Sequence, residues 1–215
     1  MSKMNLPNRL TMLRLCMVPV MTVFLLLPAS VIPWQVAYGV GLVLFALTSL
    51  TDMLDGKIAR ARGLITNFGK FMDPVADKFM VIGTLLALLF RMLNPETYGV
   101  RYQTVFVLIY FVAVLFIIFR ELAITSLRLV LVNASGTVVA ANMLGKIKTV
   151  CQMVCICILF IEPLVDALIC RFAPDFFFAH LYPASYLFVG LMLFFTLWSG
   201  IIYITGGWKH ISTDW

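Results

Sequence analysis

Six long apolar segments constrain the fold of this chain more than any other feature of its sequence. They cover approximately Leu10–Leu27, Pro33–Leu54, Phe71–Phe90, Thr104–Ile124, Ile147–Cys170 and Tyr186–Thr205. About twenty residues rising 1.5 Å each span a hydrocarbon core of about 30 Å. Because lipid offers the backbone no hydrogen-bonding partners, such segments are expected to be helices. The sequence therefore predicts an all-α, polytopic membrane protein with six transmembrane helices.

The composition excludes a soluble globular protein. Of the 215 residues, 62% are hydrophobic and 12% are charged, whereas a soluble domain carries about 25% charged residues. The net charge of +6 does not indicate nucleic-acid binding, because the basic residues lie at the ends of apolar segments. No long linker, low-complexity tract or tandem repeat divides the chain. Residues 1–215 are therefore predicted to form a single membrane domain.

The distribution of Lys and Arg predicts the orientation in the membrane. Thirteen of the sixteen basic residues lie in or beside the N-terminal leader, the second and fourth connections and the C-terminal tail. The other three, on the opposite side, are Arg91, Arg101 and Arg171. By the positive-inside rule, both termini face the cytoplasm of a cell (inner or plasma) membrane. Arg14 and a length beyond that of a signal-peptide core indicate that the first segment, after a short juxtamembrane leader, is a retained helix.

Four of the ten acidic residues lie in one stretch, TDMLDGKIARARGLITNFGKFMDPVADK, at residues 51–78. Asp52 and Asp55 are three residues apart at the end of the second segment. Asp73 and Asp77 are four residues apart at the start of the third. Each spacing places the two carboxylates of a pair on one face of a helix. The orientation above puts both pairs at the cytoplasmic surface.

The connection between the two pairs contains Gly63, Asn67 and Gly69, which favour a chain reversal. Such a reversal would bring the two acidic faces together. Gly56, within the same stretch, leaves room for a ligand to approach the backbone closely. Arg60, one helical turn later, has a planar guanidinium suited to a phosphate or a base edge.

Four neighbouring carboxylates cannot all stay ionised without compensating cations. Each could pair with a Lys or Arg, or all could share divalent metal ions. Oxygen ligands without a nearby His or Cys favour Mg2+ or Mn2+ over zinc. Mg2+ usually keeps positions for water or substrate phosphates, and two ions are typical of displacement at phosphorus. Because intramembrane carboxylates are functional by default, the stretch indicates metal-assisted chemistry on a phosphorylated substrate.

The pattern D-x2-D-G-x2-A-R-x8-G-x3-D-x3-D resembles the signature of the CDP-alcohol phosphotransferase family. It is formed by eight residues, Asp52, Asp55, Gly56, Ala59, Arg60, Gly69, Asp73 and Asp77. The resemblance implies transfer of a phosphatidyl group from a CDP-linked lipid to an alcohol, with release of CMP. It implies that Asp52, Asp55 and Asp73 bind metal, while Asp77 shares the site and acts as general base. It also implies a CDP pocket shaped by Asp52, Gly56, Ala59, Arg60 and Gly69.

A second group of polar residues lies where the fourth segment ends and the fifth begins. Arg120 and Arg128 are two turns apart on one helix face, and Glu121 is placed to orient a basic neighbour. Lys146 and Lys148 follow at the start of the fifth segment. A cationic group near the aspartates would suit a phosphate on the acceptor. Positive-inside flanking is an equally good interpretation of the two lysines alone.

These stretches, with the leader NLPNRLTMLRL, resemble the phosphatidylglycerophosphate synthase branch of the family. The matching residues are Asn5, Pro7, Asn8, Leu10, Thr11, Arg14, Arg120, Glu121, Arg128, Gly145, Lys146, Lys148 and Thr149. The resemblance implies CDP-diacylglycerol as donor, sn-glycerol 3-phosphate as acceptor and a homodimer. It assigns Asn8 and Thr11 to the CDP site. It assigns the phosphate of the acceptor to four basic residues, Arg120, Arg128, Lys146 and Lys148.

Two alternatives stay open on the residues alone. The same chemistry could act on another acceptor, such as inositol phosphate or another polar alcohol. A divalent-cation transporter could use the aspartates as an ion site, although transporters place acidic groups near the midplane on several helices. The stretch Asp166–Pro183 matches no useful pattern and is expected to be an outside loop, with His180 at its surface.

Overall fold

The computed structural model describes the backbone of residues 6–61, 67–135, 143–172 and 181–211. It describes the side chains of residues 8–52, 69, 71–128, 143, 145–172 and 181–205. These residues form seven helices, α1 (Leu6–Leu25), α2 (Trp34–Ala61), α3 (Asn67–Leu93), α4 (Pro95–Tyr98), α5 (Thr104–Ser135), α6 (Met143–Phe172) and α7 (Pro183–Ile211). No strand occurs in these ranges, so the all-α prediction is confirmed for the described part of the chain.

Five of the helices, α1, α2, α5, α6 and α7, are long and apolar enough to cross a membrane. Helix α3 is equally long, with 27 residues, but it does not meet the same criterion of composition. Its apolar part is interrupted by Asp73, Asp77 and Lys78 near one end and by Arg91 near the other. These charged residues therefore distinguish α3 from the other five long helices, and two of them, Asp73 and Asp77, belong to the acidic stretch.

The six long helices pack side by side in a closed ring. Helix α1 packs against α2 and α3, α2 packs against α6, α6 against α7, α7 against α5, and α5 returns to α3. Gly41 allows the close approach of α2, because a Cβ atom there would lie 2.8 Å from Leu25 on α1 and 2.9 Å from Phe160 on α6. Large apolar side chains such as Phe119 and Leu187 point outward, as expected for surfaces that face lipid.

Several helices continue beyond the apolar segments that predicted them. Helix α2 runs to Ala61, α5 to Ser135 and α7 to Ile211. The end of an apolar segment marks where lipid ends, whereas a helix satisfies its own backbone in water as well as in lipid. Hydropathy therefore located the long helices but not their ends.

Two predictions about connections were wrong in part. Asn67 and Gly69 belong to α3 and not to a turn, and Gly63 lies outside the described residues. The expected outside loop Asp166–Pro183 is shorter, because α6 continues to Phe172 and α7 begins at Pro183. His180 lies outside the described residues.

A carboxylate fixes the beginning of α7. Glu162 on α6 accepts hydrogen bonds from the backbone N–H groups of Ala184 (2.8 Å) and Ser185 (2.6 Å), and from the Ser185 hydroxyl. The first N–H groups of a helix have no partner within the helix and carry partial positive charge. Glu162 supplies hydrogen-bond acceptors and a negative charge to these N–H groups. It thereby joins α6 to α7 at the end of the ring opposite to the acidic stretch.

Arg91 holds the same end of the ring together from α3. Its side chain is buried and donates to the carbonyl oxygens of Leu25 (2.5 Å) and Tyr98 (3.3 Å). Its guanidinium lies 5.0 Å and 4.8 Å from the ring centres of Tyr38 and Tyr98. Carbonyls at the C-terminus of α1 and aromatic faces both attract a cation, so Arg91 is stabilised without a carboxylate among the contacts described here.

Candidate active site

Two of the four aspartates meet on a single arginine. Nη1 of Arg14, on α1, lies 2.7 Å from Oδ1 of Asp52 on α2 and 2.9 Å from Oδ1 of Asp77 on α3. The side chain of Arg14 is completely buried, whereas those of Asp52 and Asp77 are 28% and 43% exposed. The two acidic helix faces therefore converge as predicted, with an arginine from a third helix between them.

The third described aspartate is also held by α1. The hydroxyl of Thr11 donates to Oδ1 of Asp73 at 2.6 Å. Asn8, Thr11 and Arg14 are all buried and follow one another at intervals of three residues, which places them on one face of α1. This face lies against the acidic ends of α2 and α3. Of the residues assigned to the CDP site, Thr11 contacts Asp73 directly, and Asn8 lies on the same face of α1. Gly69 is buried and lies one helical turn before Asp73 in α3.

The other signature residues lie on α2, and their side chains are outside the described residues. They are Asp55, Gly56, Ala59 and Arg60. The backbone of α2 is helical through all four positions. Spacings of three, four, seven and eight residues after Asp52 keep them on one side of the helix.

The donor set of this site fits a hard divalent cation. Asp52 and Asp77 come from different helices and already share one cationic group. The acidic donors are all oxygen atoms, which Mg2+ and Mn2+ prefer. Among the described side chains, no three His, Cys, Asp or Glu residues are grouped closely enough to hold a metal ion. Asp55, the fourth aspartate of the signature, is outside that set, so the complete ligand group is a proposal.

A second cluster, made of cations, lies on α3, α5 and α6. Lys148 on α6 is buried and forms an ion pair with Glu121 on α5. Arg120 contacts Oε1 of Glu121 at 3.3 Å and donates to Oγ of Ser199 on α7 at 3.0 Å. Glu121 thus orients two basic neighbours, in agreement with the prediction for it.

Lys78 and Arg128 complete this second cluster. Lys78 on α3 donates to the hydroxyl of Thr125 on α5, and it is close enough to interact electrostatically with Arg120 and Arg128. Nε of Arg128 lies 3.3 Å from the hydroxyl of Tyr203 on α7. We call this group, Lys78, Arg120, Arg128 and Lys148, the cationic cluster.

The cationic cluster and the aspartates are neighbours. Lys78 directly follows Asp77 in α3 and interacts with its charge. Lys148, in turn, interacts electrostatically with both Lys78 and Arg120. A row of charged groups therefore runs from the carboxylates of Asp52 and Asp77 into the cationic cluster, at the same end of the ring.

Lys146 is not part of this cluster, although the sequence analysis placed it there. It is exposed on α6, whereas Lys148 is buried. Two residues along a helix turn the side chain by about 200°, so these two lysines cannot face the same way. Of the four basic residues assigned to the acceptor phosphate, the structure brings together Arg120, Arg128 and Lys148.

Two residues of the site were missed in the sequence analysis. Arg14 was counted as an orientation signal and matched to the leader motif, and Lys78 was interpreted only as an orientation signal. A charge within an apolar segment is a functional candidate in its own right, and this applies to Arg14. Spacing from Thr11 could also have indicated that Arg14 shares its helix face. No signal in the sequence identified the partner of Lys78.

Comparison with known proteins agrees with the family resemblance of the sequence. Residues 4–202 match the family model described as CDP-alcohol phosphatidyltransferase. A Bacillus subtilis protein named CDP-diacylglycerol–glycerol-3-phosphate 3-phosphatidyltransferase is 36% identical, with 98% of each chain covered. A Pseudomonas fluorescens protein of the same name is 32% identical over 98% of this chain and 94% of its own. A Mycobacterium tuberculosis protein named probable phosphatidylglycerophosphate synthase is 36% identical over 74% of this chain and 67% of its own.

Proposed function

The chain belongs to the CDP-alcohol phosphatidyltransferase family, and we propose that it transfers a phosphatidyl group from CDP-diacylglycerol to sn-glycerol 3-phosphate, releasing CMP. The observation that carries the choice of acceptor is the adjacency of Asp77 and Lys78. Asp77 belongs to the carboxylate group, and Lys78 belongs to the cationic cluster. An acceptor that carries both a hydroxyl and a phosphate can reach the two groups at once.

The carboxylate side of the site would bind the donor. Asp52, Asp55, Asp73 and Asp77 would hold Mg2+ or Mn2+ as a pair of ions, in the manner common for transfer at phosphorus. When bound, the metal neutralises the diphosphate and stabilises the departing CMP. The CDP moiety would lie along α1 and α2, against Asn8 and Thr11 and beside a set of signature residues, Gly56, Ala59, Arg60 and Gly69.

The cationic cluster would bind the acceptor. Arg120 and Lys148 are buried or nearly so, and charge-assisted bonds to phosphate are stronger where water is excluded. With its phosphate held there, the acceptor presents its hydroxyl towards Asp77. The carboxylate of Asp77 takes the proton as the hydroxyl oxygen forms a bond to phosphorus and the bond from phosphorus to the CMP oxygen breaks. No covalent enzyme intermediate is needed.

The same proposal places the site at the cytoplasmic surface of a six-span protein. Helix α3 has 27 residues, or about 40 Å at 1.5 Å per residue, which exceeds a hydrocarbon core of about 30 Å. Its charges lie towards its two ends, so the apolar middle can remain in lipid. The excess of basic residues around the acidic end supports a cytoplasmic location for both termini and the site. Family resemblance alone supports a homodimer.

An acceptor panel tests this proposal. The purified full-length protein in detergent would receive CDP-diacylglycerol, Mg2+ and one acceptor at a time: glycerol 3-phosphate, inositol phosphate, glycerol or serine. We expect CMP release with glycerol 3-phosphate, and loss of that activity when EDTA removes the metal. Release with a different acceptor and none with glycerol 3-phosphate would contradict the assignment.

The transporter alternative has its own assay. Mn2+ uptake into proteoliposomes in the absence of CDP-lipid would support an ion-transport function. The described aspartates of the acidic stretch, Asp52, Asp73 and Asp77, lie together at one end of the ring and not at several midplane positions, which favours the transferase. We therefore expect no uptake above that of empty liposomes.

A further inference from the structure

Arg14 has an unusual position for a residue of an active site that binds cations. Its Nη1 lies within 3 Å of one oxygen of Asp52 and one of Asp77, which come from two different helices. A single atom close to both carboxylates occupies the kind of position that a shared metal ion would take. The side chain of Arg14 is completely buried, so its charge has little access to water.

We propose that Arg14 is an internal counterion, which neutralises Asp52 and Asp77 before metal binds and releases them when metal and substrate arrive. This inference rests on the proposed function, because it assumes that these carboxylates hold the catalytic metal. It adds a role for Arg14 before catalysis: the arginine keeps the acidic faces of α2 and α3 together while the site contains no metal. Without it, the convergent carboxylates would repel one another.

A divalent cation and the guanidinium compete for the same carboxylate charge. Their mutual repulsion at short range is strong in a partly buried site. When metal binds, Arg14 therefore loses its partners, and a buried arginine without a partner is unfavourable. Metal binding alone is predicted to be weak for this reason.

A diphosphate resolves this conflict. It brings negative charge next to the metal and presents oxygen atoms that a guanidinium binds in a planar, two-pronged geometry. Arg14 can then move from the carboxylates to the diphosphate without losing a charged partner. The consequence is that metal and CDP-lipid bind cooperatively, so the site does not hold metal tightly until the donor is present.

The opposite view is that Arg14 is a permanent clamp between α1, α2 and α3. Both views predict that removal of Arg14 lowers the stability of the metal-free protein. Removal of the positive charge can strengthen metal binding in either view, whereas only the counterion view predicts that CDP raises the metal affinity more in the unmodified protein than in the variant. Metal affinity measured with and without CDP, in the absence of turnover, therefore separates the two.

The test is a Mn2+ titration of the full-length protein in detergent, followed by the electron paramagnetic resonance signal of free Mn2+, with and without CDP. Without CDP, we expect Arg14→Gln to bind Mn2+ at least about tenfold more tightly than the unmodified protein. CDP should then increase Mn2+ affinity more in the unmodified protein than in Arg14→Gln. Arg91→Gln removes another buried arginine, at the opposite end of α3, and should leave Mn2+ affinity unchanged.

Two further measurements keep the test decisive if Arg14→Gln does not fold. Arg14→Lys keeps a charge but lacks the planar fork, so it replaces Arg14→Gln if that variant does not fold, and it should bind Mn2+ more tightly than the unmodified protein. Mn2+ should also raise the melting temperature of either Arg14 variant more than that of the unmodified protein. Equal or weaker Mn2+ binding in both variants would overturn the counterion role while leaving the acceptor-panel result intact. A lack of Mn2+ binding in every variant, even with CDP, would overturn the metal site and this inference together.

Discussion

Lys148 and Glu121 form an ion pair between α6 and α5, two helices that are not neighbours in the ring. The side chains of the two residues are only 4% and 13% exposed, so the pair lies in the interior. A buried ion pair gains little stability over apolar packing, because both charges lose their hydration. We propose instead that Glu121 holds the neighbouring cations in position for a bound anion.

The two lysines at the start of α6 provide a matched pair of variants. Lys148→Ala is expected to raise the Michaelis constant for glycerol 3-phosphate about tenfold or more, because a charge-assisted bond to phosphate is lost. Lys146→Ala, which removes an exposed lysine two residues away, should change it less than twofold. Steady-state kinetics with varied acceptor would measure both. Equal effects would show that positive charge in general, and not a particular site, attracts the acceptor.

Arg120→Ala is expected to affect the acceptor more than the donor. Arg120 lies between Glu121 and Ser199, within the cationic cluster and one helix away from the carboxylates. Its loss should therefore raise the Michaelis constant for glycerol 3-phosphate more than that for CDP-diacylglycerol. Varying each substrate in turn gives the two constants. A similar rise in both would move Arg120 out of the proposed acceptor site.

Asp77→Asn is expected to lower turnover at least about 100-fold while CDP-lipid still binds, because an amide cannot take the proton of the acceptor. Asp52 and Asp73 keep most of the negative charge of the site. Turnover would be measured as CMP release, and binding as the protection of the protein against thermal unfolding by CDP-diacylglycerol. Asp166→Asn, at the opposite end of the ring, is the control and should retain turnover. Near-normal activity of Asp77→Asn would exclude this residue as the base.

Glu162→Ala is expected to lower the melting temperature by several degrees. It removes the carboxylate that accepts the first backbone N–H groups of α7, and bonds to a charged group contribute about 1.5–3 kcal/mol each. Glu96→Ala removes a carboxylate that pairs with Arg101 at the surface, where both side chains are exposed. Such a pair contributes little, so this control should melt almost like the unmodified protein. Thermal unfolding of both variants in the same detergent provides the comparison.

Local spacing accounts for what could be predicted about the site. Asp52, Asp73 and Asp77 converge as expected, because residues three or four apart share a helix face wherever that helix packs. The same rule explains the error for Lys146. The two lysines were grouped by their proximity in sequence, but on a helix they point in different directions.

The sequence by itself determined the number and character of the long helices, the placement of the acidic pairs on helix faces, and the family. These properties depend on hydropathy and helical period, which act within a single segment. Only the tertiary structure decided that Arg14 reaches Asp52 and Asp77, that Lys78 contacts Thr125 on α5, and that Lys148 pairs with Glu121. A helix face can be read from one segment, whereas the partner that it meets depends on how all six helices close the ring.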